Sequence, residues 1–133
     1  MSLDTAEDFM RRAEEHLMVA RMSLERGFYN AAAINAEMAA QLAVKALLIR
    51  LGVEPPRMLD IRALLDLVIS KLGGDAAEEV RDFMSNNRRD LIILENSGGL
   101  DRCGAPRIDR DRAEIALKTA ESIVKLVRRL WNL

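Results

Sequence analysis

From Asn30 to Leu51 the chain reads NAAAINAEMAAQLAVKALLIRL, a stretch with no glycine and no proline. Nearly every residue in it is a good helix former. Apolar side chains fall on almost every face: Ile34, Met38, Leu42, Val44, Leu47, Leu48 and Leu51, with alanines between. Glu37, Gln41 and Lys45 are spaced four apart and make one narrow polar stripe. A helix apolar almost all round is a buried helix. Lys45 and Arg50 interrupt the apolar run, so the stretch predicts a core helix and not a membrane span. The alanines allow other helices to approach closely. The expected fold is all-α: an antiparallel bundle of four to five helices around this alanine-rich centre.

A chain of 133 residues is expected to form one domain, 1–133. Half its residues are apolar but only 4% are aromatic, so the core is aliphatic and suits packed helices better than strands. The net charge of −1 predicts no global attraction to nucleic acid or to an anionic membrane. Sixteen of the basic residues are arginine and four are lysine. Arginine is the better fork for phosphate and carboxylate, although a GC-rich genome or a heat-adapted surface accounts for the bias equally well. One cysteine, Cys103, excludes an internal disulfide framework, and Cys103 reads as a plain thiol. One histidine and no CxxC pair give no metal site, and nothing calls for a cofactor. The acidic opening MSLDTAEDF lacks the apolar core of a signal peptide, which makes the cytoplasm the expected location.

Taken in order, Ala6, Met10, Ala13, Leu17, Ala20 and Leu24 step by three and four and predict a first helix from about Thr5 to Arg26. Asp4 and Glu7 resemble its capping box. His16 flanks the stripe with no Ser, Cys or second His placed to make it a base or ligand, so it reads as structural. Gly27-Phe28-Tyr29 is a tight connection that sets the second helix antiparallel to the first. Gly52-Val53-Glu54-Pro55-Pro56 ends that helix. A third helix is expected over about Leu59 to Leu72, closed by Gly73-Gly74. A fourth starts after Asp75, with Glu78 completing a cap, and carries Val80, Met84, Asn87, Leu91 and Leu94 on one line. Ile92 and Ile93 lie off that line and need cover, which suggests a dimer contact on the fourth helix. The irregular stretch Asn96 to Ile108 holds Arg102, Cys103 and Arg107. Asp109 or Asp111 caps the last helix.

The order of elements resembles the HEPN family. It is carried by Gly27-Phe28-Tyr29-Asn30, the AxxAxxLAVKALL of the second helix, and Gly52-Val53-Glu54-Pro55-Pro56. The resemblance covers best about residues 9 to 68. It implies a helical bundle, usually a homodimer, working around RNA or nucleotides. Many members are metal-independent ribonucleases, often toxins, and others partner minimal nucleotidyltransferases. This chain departs from the pattern in three places. Gln41 stands where many relatives have a glutamate, and Met58 or Leu59 where they often carry His. Arg89-Asp90 begins the family's ribonuclease motif, yet the residues at the distance of its His are Leu94, Glu95 and Asn96.

Cleaving RNA through its 2′-OH needs a group poised near neutral pH, for which His is the usual choice. Without it, the arginines still suit a phosphate. The candidate nucleotide or RNA contacts are Asn87, Arg88 and Arg89, with Arg102 and Arg107 in the loop; a solvated, ion-paired face is the alternative for the arginines. Lys45 reads as a structural ion-pair partner, with Glu37 and Gln41 alongside. Three functions follow: a non-catalytic nucleotide- or RNA-binding or toxin–antitoxin-associated module; an interaction protein for a nucleotidyltransferase; and a ribonuclease.

Overall fold

A computed structural model describes residues 2–57, 59–98 and 107–132. Arg102, Cys103 and Met58 lie outside the described residues. Among the described residues there are six helices: α1 (Leu3–Glu25), α2 (Tyr29–Arg50), α3 (Ile61–Lys71), α4 (Gly74–Asn86), α5 (Arg88–Glu95) and α6 (Arg110–Leu130). No strand occurs among the described residues.

Serine, not aspartate, starts α1: the Ser2 hydroxyl accepts from the Thr5 backbone N–H at 3.2 Å, and Asp4 sits within the first turn. Ser2 lies three residues before Thr5, the spacing an N-cap needs. Asp60 caps α3 by accepting from Ala63 N at 2.8 Å, and Asp109 caps α6 by accepting from Arg112 N at 2.9 Å. Asp75 caps nothing, because α4 begins one residue earlier, at Gly74.

Two glycines close the first two helices in the same way. Gly27 has φ 77° and Gly52 φ 83°. Phe28 N bonds back to Ser23 O at 2.8 Å and Gly27 N to Leu24 O at 3.0 Å. Val53 N to Leu48 O at 2.9 Å and Gly52 N to Ile49 O at 3.0 Å repeat the pattern after α2. This six-to-one and five-to-two pairing is a Schellman motif, and its left-handed residue is cheapest as glycine. The first of these turns reverses the chain and lays α2 along α1.

α2 packs most extensively on α1, then on α6 and α3. Its buried face is largely alanine: Ala32, Ala33, Ala36, Ala39, Ala40, Ala43 and Ala46, joined by Val44, Leu47, Leu48 and Ile49. The helix is not buried all round. Ile34 and Leu42 are half-buried, and Met38 is 40% exposed. Small residues win the close helix contacts, so the larger side chains share the open side with Glu37, Gln41 and Lys45. By length and composition α2 is apolar enough to cross a membrane, but most of that stretch is buried inside the fold, as in the core helix of a bundle.

The expected fourth helix is broken in two. Asn87 has φ −122° and ψ 22° and serves both as the end of α4 and the start of α5. Its side-chain Nδ2 donates to Phe83 O at 2.8 Å while its backbone N donates to the same carbonyl at 3.1 Å. An asparagine that turns its amide on the local backbone offers the chain an exit from the helix. α5 then restarts with Leu91 N to Asn87 O at 2.8 Å. Ile92 and Ile93 come out half-buried within the chain. The large apolar side chains left exposed are elsewhere, on the outer side of α1 (Leu3, Met18, Val19, Met22), at Phe28 and at Met38.

Candidate anion site

The break at Asn87 aims the start of α5 at the flank of α3. Between them lies a cleft of about 310 Å³ lined by Arg62, Asp66, Met84, Ser85 and Arg88. Arg62 and Asp66 are one turn apart on α3, off its buried stripe of Ile61, Leu64, Leu65 and Val68. Ser85 lies in the last turn of α4, and Arg88 opens α5.

The two arginines differ in how they are held. Arg62 is fixed: its Nε donates to Glu95 Oε1 at 2.7 Å, and its backbone N–H donates to the same oxygen at 3.2 Å. The Glu95 side chain is only 10% exposed and that of Arg62 35%. The hydrogen bond and the charge of Glu95 raise the Arg62 pKa further. Arg88 is exposed and forms no ion pair among the described residues. One rigid and one adjustable guanidinium therefore face one cleft, a pairing suited to an oxyanion. Asp66 adds a carboxylate to the same wall, an acceptor for hydroxyl groups. Ser85 and Asp66 share no hydrogen bond, so no base is engaged on the serine.

Beneath this wall, on the open side of α2, Gln41 Nε2 donates to Glu37 Oε1 at 2.6 Å. Burial raises the Glu37 pKa above the ordinary carboxylate value; the Gln41 hydrogen bond and the charge of Lys45 lower it, and the charge of Glu95 raises it. Lys45 acts on Glu37 through its charge and makes no ion pair among the described residues. It lines a different cleft, of about 250 Å³, with Phe9, Glu54, Pro55, Pro56 and Arg57.

Of the residues singled out in the sequence, Arg88 enters the site. Asn87 shapes it by breaking the helix. Arg89 stays out: its side chain is 80% exposed and pairs with its neighbour Asp90 at 3.0 Å. Successive helical residues point about 100° apart, so Arg88 and Arg89 cannot both face the cleft. Arg107 lines a separate cleft with Gly27, Phe28, Tyr29, Asn30, Ala31 and Ile108. Arg62, Asp66 and Ser85 escaped the sequence reading. The available signal was a charged pair, Arg62 and Asp66, one turn apart beside an apolar stripe. His16 is an interhelical strut, its Nδ1 3.0 Å from Asn35 Oδ1, with Asn35 Nδ2 donating to Ala31 O at 2.9 Å. Among the described residues no cluster of three or more His, Cys, Asp or Glu could hold a metal ion.

A helical bundle is the architecture the sequence resemblance implied. Residues 6–130 match the HEPN domain, and the chain belongs to that family. It is similar in structure to the protein TT1696 from Thermus thermophilus, with a TM-score of 0.72 and 25% identity, over 93% of this chain and 96% of that one. No protein of curated function matches it.

Proposed function

We propose that this HEPN protein binds the phosphate of RNA or of a nucleotide in the Arg62–Arg88 cleft without cleaving it, and does so in the cytoplasm as a homodimer. The observation that carries this reading is the unequal arginine pair: Glu95 holds Arg62 in place, and Arg88 is left without an ion-pair partner among the described residues. A phosphate fits between them, and Asp66 on the same wall can accept from a ribose hydroxyl. Glu95 stands at the distance where the family's ribonucleases carry His. Here it is engaged by two donors of Arg62, which favours a positioning role over general base chemistry and so favours binding over cutting.

The test is fluorescence anisotropy with labelled RNA across a salt series, paired with a cleavage gel. Arg88→Ala and Arg62→Ala should each weaken binding and reduce the salt slope by about one. Arg89→Ala should have little effect. Unchanged affinity in both cleft variants would discard the site, and RNA cleavage abolished by Arg88→Ala would make the protein a ribonuclease. Light scattering should return twice the 14.9 kDa chain mass.

A second reading, an interaction protein for a nucleotidyltransferase, is favoured by the outer face of α1. Val19, Met22, Ser23, Arg26 and Phe28 line a mostly apolar groove of about 200 Å³ there. Pull-down with a nucleotidyltransferase encoded beside the gene, lost in Met22→Glu, would put this reading ahead.

A further inference from the structure

The turn between α1 and α2 carries a second cleft, of about 330 Å³, lined by Gly27, Phe28, Tyr29, Asn30, Ala31, Arg107 and Ile108. Three features there go together. Phe28 is 60% exposed, the most exposed of the large apolar side chains among the described residues. The Schellman bond from its backbone N–H to Ser23 O at 2.8 Å fixes its position in the chain, so this exposure is built into the turn. Arg107 is exposed and has no ion pair among the described residues. Arg110 stands at the edge of the same turn. Its Nε donates to the Tyr29 hydroxyl at 3.2 Å, and its guanidinium carbon lies 5.9 Å from the centre of the Tyr29 ring. Asp111 and Glu114 are the acidic groups whose charge reaches Arg110. Among the described residues the cleft lining contains no acidic residue.

A solvent-facing ring and a cation with no ion pair among the described residues line one cleft, which puts an apolar stacking face and a positive charge together. It is the pairing that single-stranded nucleic acid uses: a base stacks on the ring and a phosphate meets the cation. We propose that the Phe28–Arg107 cleft binds one nucleotide unit, its base on the Phe28 ring and its phosphate on the Arg107 guanidinium. Arg110, already held by Tyr29, flanks that phosphate. This site is separate in the chain from the Arg62–Arg88 cleft and gives an RNA strand a second contact. It rests on the RNA-binding reading only for its ligand being a strand and not a free nucleotide.

The experiment uses a Phe28→Trp variant as a local reporter, with the wild type, whose single tryptophan is Trp131, as the blank. An exposed position tolerates this exchange. Oligoadenylate and AMP are titrated in parallel. Quenching of the introduced tryptophan by the oligonucleotide, lost in a Phe28→Trp/Arg107→Ala double variant, supports the site. Phe28→Ala should then weaken anisotropy binding about tenfold, the loss of one stacked base. RNA binding that depends on Arg88 while the introduced tryptophan stays unquenched overturns this inference and leaves the first cleft standing. Quenching by AMP but not by oligoadenylate keeps the site and removes the RNA-strand reading. No quenching by either ligand and no RNA binding overturns both.

Discussion

One carboxylate oxygen, Glu95 Oε1, accepts from two donors of Arg62: Nε at 2.7 Å and the backbone N–H at 3.2 Å. This contact ties the end of α5 to the first turn of α3. It also sets which part of Arg62 remains for a ligand, because Nε is occupied while the two terminal nitrogens have no hydrogen-bond partner among the described residues. Glu95→Ala leaves an ordered guanidinium and a first-turn N–H without their partner. It should lower stability, because two hydrogen bonds to a charged acceptor are lost together. Urea unfolding should show a lower midpoint at unchanged slope. Glu95→Gln keeps one acceptor and should cost less. An Ala variant as stable as wild type would mean the contact does not persist in solution.

Glu37 makes a prediction about pH. Its folded pKa is raised, chiefly by burial, so the folded state binds its proton more tightly than the unfolded chain. The stability it contributes is complete below the unfolded value near 4.5 and is lost as pH rises through the higher folded value. Above the folded value the ionised carboxylate is therefore a burden. Glu37→Gln, which preserves shape and an acceptor for Gln41, should gain on the wild type progressively as pH rises from about 4.5 toward 7. Unfolding curves for both proteins across that range test the sign. A gap that narrows with rising pH would refute it.

Gly52 has φ 83°, and nothing lies within 4 Å of where its Cβ would be. The cost of Gly52→Ala is thus backbone strain alone, about 1–2 kcal/mol. Gly52→Asn should cost less, because asparagine tolerates the left-handed region. If Ala and Asn proved equal in thermal unfolding, the left-handed turn would not be what holds that position.

Ala43 is fully buried in α2. Ala43→Leu should cost about 1–3 kcal/mol by overpacking. Ala43→Gly should cost about 1 kcal/mol through helix propensity, plus the lost methyl contact. Chemical denaturation that ranked Leu above wild type would show unfilled space beside α2.

The His16–Asn35 contact joins α1 to α2. A double-mutant cycle with His16→Ala and Asn35→Ala should return a coupling of about 0.5–1.5 kcal/mol. RNA affinity in the His16 variant should equal that of wild type. A selective loss of RNA affinity would turn this strut into part of a site.

What the sequence determined on its own is what is encoded locally. A stripe spaced by three and four marks the buried face of one helix, whatever that helix later meets, so Ala6, Met10, Ala13, Leu17 and Ala20 on α1 were legible from spacing alone. So were Gly27 and Gly52 as helix stops, while the choice of Asp109 over Asp111 as the cap of α6 was left to the structure. The tertiary structure decided the rest, because it depends on which helices meet. Spacing marked the Glu37–Gln41–Lys45 stripe of α2; only the close approach of α1 and α6 on its alanines shows that Ile34 and Met38 are left on the open side beside it. Arg88 and Arg89 were indistinguishable in sequence. The break at Asn87 turned one toward α3 and the other to solvent. Arg62 and Glu95 lie 33 residues apart, and no local pattern joins them. Their pairing, which makes the cleft a site, exists only because α5 folds back across the start of α3.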